Sequence, residues 1–230
     1  YYMGPMFRYE KPQAGRFRQF HQFGLECLGS AAPAADAEII AFAWEFYNRL
    51  GIRSLELKLN SVGCPNCRPG YKKALQDYFR PHLAELCPSC QDRFERNPLR
   101  ILDCKSEICQ RIGADAPLIG EHLCPECSGH FAQVQQLLQA AGIPFTLEPR
   151  LVRGLDYYTK TAFEIQVTAI GAQSAICGGG RYDGLIEELG GEPTPAVGFA
   201  LGMERAFVAL KAQGDDFTAD DKLDVYVISP

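Results

Sequence analysis

The period of hydrophobic and polar positions changes several times along this chain, and the changes mark its elements. Residues 6–10 and 17–29 read as two strands of a hairpin, with Lys11-Pro12-Gln13-Ala14-Gly15 as the turn between them. Residues 35–50 place apolar side chains at helical spacing and stop at Gly51, after which Ser54–Asn60 alternates strictly, so a helix and then a strand are expected. Between 61 and 143 cysteines cluster, prolines interrupt, and the periodic pieces Lys72–Leu86 and Phe131–Ala141 are helical; this stretch reads as an insertion. Strand patterns return at Phe145–Glu148, Thr161–Val167, Ala172–Cys177 and Ala196–Leu201, with short helices expected at Tyr182–Leu189 and Met203–Gln213. Strands on both sides of an insertion, joined by hairpins, predict an α+β fold: a mixed, mainly antiparallel sheet flanked by helices, carrying a mostly helical Cys-rich insertion. The expected division is 1–60 and 144–214 for the two parts of the core, 61–143 for the insertion, and an acidic linker opening 215–230.

Composition narrows the function classes. With 230 residues, 47% hydrophobic and 22% charged, the chain can build one good core and a small appended module. A net charge of −5 argues against nonspecific coating of nucleic acid and leaves room for a local basic patch that meets a structured RNA. No apolar run reaches the ~18 residues of a membrane span. Tyr1-Tyr2-Met3-Gly4-Pro5 lacks the order of a signal peptide, so a soluble, cytoplasmic protein is expected.

Ten cysteines include three C-x-x-C pairs, which in such a chain favour metal over disulfides. Cys64-Pro65-Asn66-Cys67 and Cys87-Pro88-Ser89-Cys90 have spacing suited to one closed, four-thiolate zinc site. Cys104, Cys109, Cys124 and Cys127 form a second, looser set, in which His122 or His130 could replace a sulfur. Such zinc would fold the insertion rather than catalyse, although reduced, metal-free thiols fit the same pattern. Cys27 and Cys177, on strand-like segments, read as small buried apolar residues.

Two segments have the chemistry of anion binding. Phe7-Arg8-Tyr9-Glu10 and Arg16 set two permanently charged donor forks and an acceptor on a hairpin, suited to a triphosphate and an amino group, and equally to a solvated ribbon. Gly198-Phe199-Ala200-Leu201-Gly202-Met203-Glu204-Arg205 runs from strand to helix with Arg205 in the first turn, where an anion or water can be met. In Cys177-Gly178-Gly179-Gly180-Arg181-Tyr182-Asp183-Gly184-Leu185 the spacing of Gly178, Gly180 and Gly184 misses the dinucleotide fingerprint, which excludes a nicotinamide cofactor; the glycines are expected to let backbone approach a bound amino acid.

The first segment resembles motif 2 of class II aminoacyl-tRNA synthetases and the second resembles their motif 3. Arg150-Leu151-Val152-Arg153-Gly154-Leu155-Asp156-Tyr157-Tyr158 and Cys177–Leu185 are similar to the two peptides peculiar to histidyl-tRNA synthetases, and the likeness covers essentially the whole chain. The resemblance implies the class II catalytic fold, ATP with Mg²⁺, L-histidine and tRNA(His) as substrates, and a homodimer in the full-length protein. It implies Arg8 and Arg153 as the catalytic arginines at the α-phosphate. Glu10 would meet the adenine amino group, and Arg16 and Arg205 the outer phosphates. For histidine it implies Gln22 at the α-amino group with Tyr182 nearby, Arg153 at the carboxylate, and Glu26 with Tyr158 reading the two ring nitrogens. Glu26 also fits an exposed strand position, and Tyr157 and Tyr158 fit core aromatics, a reading kept for Tyr157.

By the same resemblance motif 1 and an upstream acidic residue would precede Tyr1, and 223–228 would open an anticodon-binding domain, so a poorly active fragment is expected. Basic residues of the insertion, Arg68, Lys72, Lys73, Arg93, Arg96 and Arg100, are candidate contacts to an acceptor stem, or solvated helix charges. The runner-up is a catalytically silent paralogue such as the histidine-sensing regulatory subunit of ATP phosphoribosyltransferase; a tRNA-sensing domain within a kinase is a third. Both should show eroded ATP-site residues, and these are in place.

Overall fold

The computed structural model describes residues 1–9, 11–12, 17–152, 157–168 and 174–215. A seven-stranded sheet runs through the molecule in the order β1-β2-β7-β6-β5-β3-β4. Its strands are β1 (Tyr2–Phe7), β2 (Gln19–Leu28), β3 (Leu55–Ser61), β4 (Thr146–Leu147), β5 (Thr159–Val167), β6 (Ala175–Arg181) and β7 (Ala196–Gly202). All neighbours are antiparallel except β3 and β4, so the sheet is mixed and mainly antiparallel, as expected.

Three helices cover one face: α1 (Pro33–Arg49), α5 (Pro125–Ala140) and α7 (Met203–Ala212). Strand alternation decides what they cover. Leu57 and Leu59 of β3, Phe163, Ile165 and Val167 of β5, and Val197, Phe199 and Leu201 of β7 point into one core with Ile39, Ile40 and Tyr47 of α1 and Val134 and Leu138 of α5. Each such side chain contributes about 1.5–3 kcal/mol when fully buried. On β2 the odd positions join them: Phe23 stacks on Phe46 at 5.2 Å and packs near Phe42 and Phe199 at 6.3 and 6.2 Å. This aromatic group fixes the register of β2, because a slip of one residue would send Gln22 and Glu26 into the core.

Between β3 and α5 lies a helical lobe containing α2 (Arg68–Phe79), α3 (Pro88–Arg96) and α4 (Glu107–Gly113) with three short 3₁₀ turns. It has its own core of Tyr71, Leu75, Phe79, Phe94, Ile101 and Ile119. Within the stretch expected as an insertion, α5 packs into the main core through Val134 and Leu138, and the separate core spans Tyr71 to Ile119.

Other boundaries differ for local reasons. The expected helix to Leu86 gives way to a 3₁₀ turn at Arg80–Glu85 because Pro81 cannot supply the helical N–H. β1 starts at Tyr2, earlier than expected; as an edge strand it tolerates Pro5. β6 continues through Gly178–Gly180 to Arg181, and only Leu185–Glu188 is helical after it (α6). Among the described residues no helix is long and apolar enough to cross a membrane. The segments 216–230 and 153–156 lie outside the described residues.

Candidate functional site

The sheet face opposite the three helices is lined mostly by small residues. Gln22, Gly24 and Glu26 of β2 stand opposite Gly202, Ala200 and Gly198 of β7, and Gly178 and Gly180 of β6 continue the same rows. Five glycines and an alanine thus make a floor with almost no side chains, from which Gln22 and Glu26 rise. The glycines serve the protein's own packing as well. A β-carbon on Gly198 would sit 1.6 Å from Glu26 Oε2, and one on Gly180 would fall 2.8 Å from the Tyr158 ring. Gly179 faces the core, where a β-carbon would meet the Gly198 carbonyl oxygen at 2.3 Å. Gly178–Gly180 belongs to β6, and Gly179 and Gly180 also admit the neighbouring strands.

Two adjoining cavities share Ala200. One, of about 200 Å³, is lined by Arg8, Phe20, Gln22, Gly178, Gly202 and Arg205, among others. Arg8 lies with its guanidinium 3.8 Å over the Phe20 ring, a cation–π contact that holds its fork at the mouth. Arg205 comes from the first turn of α7, whose N-cap is Gly202. Beside it Glu204 accepts from the His21 backbone N–H at 2.8 Å and pairs with His21 Nδ1 at 2.9 Å, clamping α7 to β2. Partial burial pushes Glu204 up, but the His21 hydrogen bonds outweigh it and hold the carboxyl below its usual range.

The second cavity, about 300 Å³, is lined by Glu26, Tyr158, Tyr182, Tyr157 and Tyr2. Tyr182 Oη donates to Glu26 Oε2. Burial raises Glu26 above the ordinary glutamate value, with the Tyr182 bond pulling the other way. Burial together with Glu26 raises the Tyr182 phenol, which keeps it a donor. Tyr157, expected as a core aromatic, is half-exposed and lines this cavity, 4.8 Å from Tyr158 between ring centroids.

Of the residues expected in the site, Arg8, Gln22, Glu26, Tyr158, Tyr182 and Arg205 are gathered on this face. Glu10, Arg16 and Arg153 lie outside the described residues.

Behind Tyr182 is a buried ion network. Arg181 has 0% exposure; its Nε meets Asp36 Oδ2 at 3.1 Å, and one terminal nitrogen reaches the Ser30 carbonyl at 2.8 Å and Asp183 Oδ1 at 2.9 Å. His130 Nε2 approaches Asp36 Oδ1 at 3.2 Å. Arg181 and Asp36 were not assigned roles from sequence; the available signal was Arg181 lying inside the quoted glycine-rich peptide.

The cysteines assemble differently from the expected sets. Cys64 and Cys67 join Cys124 and Cys127, and Cys87 and Cys90 join Cys104 and Cys109; the four sulfurs of each group lie within 4.8 Å of one another. The Cys64/Cys67/Cys87/Cys90 grouping is therefore corrected. Chain folding brings the start of α5 back to the end of β3, which spacing in sequence does not reveal. His130 is engaged with Asp36 and His122 lies against Tyr71, 5.4 Å between centroids, so neither joins a sulfur group.

Comparison with known proteins gives a consistent result. A family model for histidyl-tRNA synthetase matches residues 1–66 and 104–206, passing over the segment that holds α2 and α3. A histidine–tRNA ligase of Moorella thermoacetica is 61% identical over 229 residues, covering 100% of this chain and 54% of that protein. One of Desulforamulus reducens is 59% identical over 227 residues, 99% of this chain and 54% of that one. Among solved structures, apo histidyl-tRNA synthetase of S. aureus matches with a TM-score of 0.75 at 40% identity, over 94% of this chain and 52% of that chain. The chain spans about half the length of the curated relatives it matches.

Proposed function

Because the chain belongs to the histidyl-tRNA synthetase family, we propose that it is the catalytic core in which L-histidine is activated by ATP and passed to tRNA(His). The observation that carries this is the pair of adjoining cavities, an arginine-flanked one and a tyrosine–glutamate one, on a single glycine floor.

Neutral imidazole offers one donor and one acceptor. In our reading Glu26 accepts from the ring N–H and Tyr158 donates to the other nitrogen, while Gln22 meets the α-amino group and Tyr182, held by Arg181, closes the wall. ATP enters as its Mg²⁺ complex in the neighbouring cavity. Arg8 and Arg153 hold the α-phosphate, Arg205 and Arg16 the outer phosphates, and Glu10 the adenine amino group. A histidine carboxylate oxygen then bonds to the α-phosphorus as the bond to the bridging oxygen breaks, giving histidyl-adenylate and pyrophosphate. Arginine forks aimed at the charge that develops on the α-phosphate lower this barrier. In the second step a hydroxyl of the terminal adenosine of tRNA takes the histidyl group and AMP leaves.

The insertion supports a role with the RNA. Arg68, Lys72, Arg96 and Arg100 line a cavity of about 430 Å³ that opens beside Tyr158, a place suited to the phosphates of an incoming acceptor end. Arg68 also donates to the Tyr158 carbonyl oxygen, joining this groove to the histidine cavity.

Histidine-dependent exchange of pyrophosphate into ATP tests the proposal, run beside calorimetric titration of histidine. Exchange that disappears in Arg8→Ala, and histidine binding weakened by about a hundredfold in Glu26→Ala, are expected, since removing one of two partners leaves the other buried and unpaired. Absence of histidine binding by the intact chain would refute the site; histidine binding without ATP binding would favour a histidine sensor.

A further inference from the structure

We propose that the chain holds two zinc ions in separate all-cysteine sites, one formed by Cys64, Cys67, Cys124 and Cys127 and the other by Cys87, Cys90, Cys104 and Cys109. The sulfur separations fit one tetrahedral ion in each group, and zinc is the usual occupant of a closed four-thiolate site. Cys64 Sγ lies 3.7 Å from Cys67 Sγ and 3.9 Å from Cys124 Sγ, and Cys87 Sγ lies 3.8 Å from Cys104 Sγ. Four thiolates around one zinc at about 2.3 Å stand about 3.8 Å apart when tetrahedral. A disulfide would need about 2.05 Å. A polynuclear iron–sulfur cluster would place some of its four cysteines on different irons and so spread them beyond the 4.8 Å that contains each group. The spacing fits a single tetrahedral ion in each group.

Local structure also prepares the thiolates. Each of the three Cys-Pro-x-Cys turns leads into a helix start, where the backbone favours negative charge. Backbone N–H groups donate to sulfur: Cys124 to Cys67 Sγ at 3.1 Å, Cys87 to Cys109 Sγ at 3.3 Å and Ser106 to Cys104 Sγ at 3.5 Å. Such bonds are the usual outer support of a metal thiolate. Cys90, Cys109 and Cys127 have 0% exposure, so these sulfurs face the interior of their groups rather than solvent.

The two ions have different structural tasks. The second site belongs to the small lobe, where Cys90 and Cys109 sit within its own core. A lobe of three short helices has little apolar area to bury, and a metal supplies the missing folding energy. The first site joins the end of β3 to the start of α5 and lies beside β5, whose Lys160 N–H donates to the Gly63 carbonyl at 2.8 Å. With four thiolates bound, neither ion has an open position, so both are structural.

Metal analysis of the full chain, purified reduced and supplied with zinc, tests the proposal. We expect two zinc ions per chain, one in the paired variant Cys64→Ser/Cys124→Ser, and none in Cys64→Ser/Cys87→Ser. Retention of one ion by Cys64→Ser/Cys87→Ser would restore the grouping by sequence neighbours and overturn the proposal. A cobalt titration of the metal-free wild-type chain guards against misfolded variants. Saturation at two equivalents with the absorption of tetrahedral four-thiolate cobalt is expected. Saturation at one equivalent, or no such spectrum, would overturn it.

Discussion

Arg181 shows how much one side chain can fix. It is wholly buried, yet donates to Asp36, to Asp183 and to the carbonyls of Ser30 and Ala32, so one guanidinium joins β6 to the segment that opens α1. Lysine has the charge without the planar fork and cannot make these contacts together. Arg181→Lys is expected to cost about 3–5 kcal/mol in urea denaturation, the range for breaking a buried pair. The same network sets an acid limit. Burial pushes the Asp36 carboxyl up, but the bonds from His130 and Arg181 more than offset this and hold it below the ordinary aspartate value. A depressed folded-state value adds stability that is complete above the unfolded value of about 3.9 and is lost as pH falls through the folded one. The stability difference between wild type and Asp36→Asn should therefore be constant down to about pH 4 and shrink below it.

Elements with one buried face were legible from their period, and elements without one were not. α1, β3, β5 and β7 follow the apolar rhythm because Ile40, Leu57, Phe163 and Phe199 all enter the same core. β6 escaped extension past Cys177 because three successive glycines carry no hydrophobic signal, and the opening of β1 was hidden by Gly4 and Pro5. Gly179 and Gly180 of β6 are nonetheless strict requirements of packing. Gly179→Ala should lower stability by about 1–3 kcal/mol, the cost of overpacking, because its β-carbon meets immovable backbone at 2.3 Å. Gly184→Ala, with nothing within 4 Å and a φ of −92°, should melt within a degree or so of wild type. Thermal denaturation of the two variants side by side checks both statements.

At the scale of the whole molecule, the residues proposed for phosphate and histidine lie in short peptides, and Arg8, Gln22, Glu26, Tyr158, Tyr182 and Arg205 share one face of the sheet, whereas the sulfur groups depend on where α5 returns. Cys124 follows Cys67 by a whole lobe of sequence, and only the packing of α5 on α1 and the sheet brings them together. The chain accordingly enters and leaves the lobe through one doorway, its two jambs held within a few ångströms. A detour that closes on itself imposes no length on the road it interrupts, so the lobe can be enlarged, shortened or exchanged while the sheet stays as it is. Replacing residues 69–121 with a short Gly-Ser linker should leave a cooperatively folding sheet by circular dichroism, and a chain that loses its cooperative transition would show the lobe to be indispensable to the fold. Seen this way the lobe is an exchangeable cassette, and whatever it carries is presented at one fixed place, next to Tyr158.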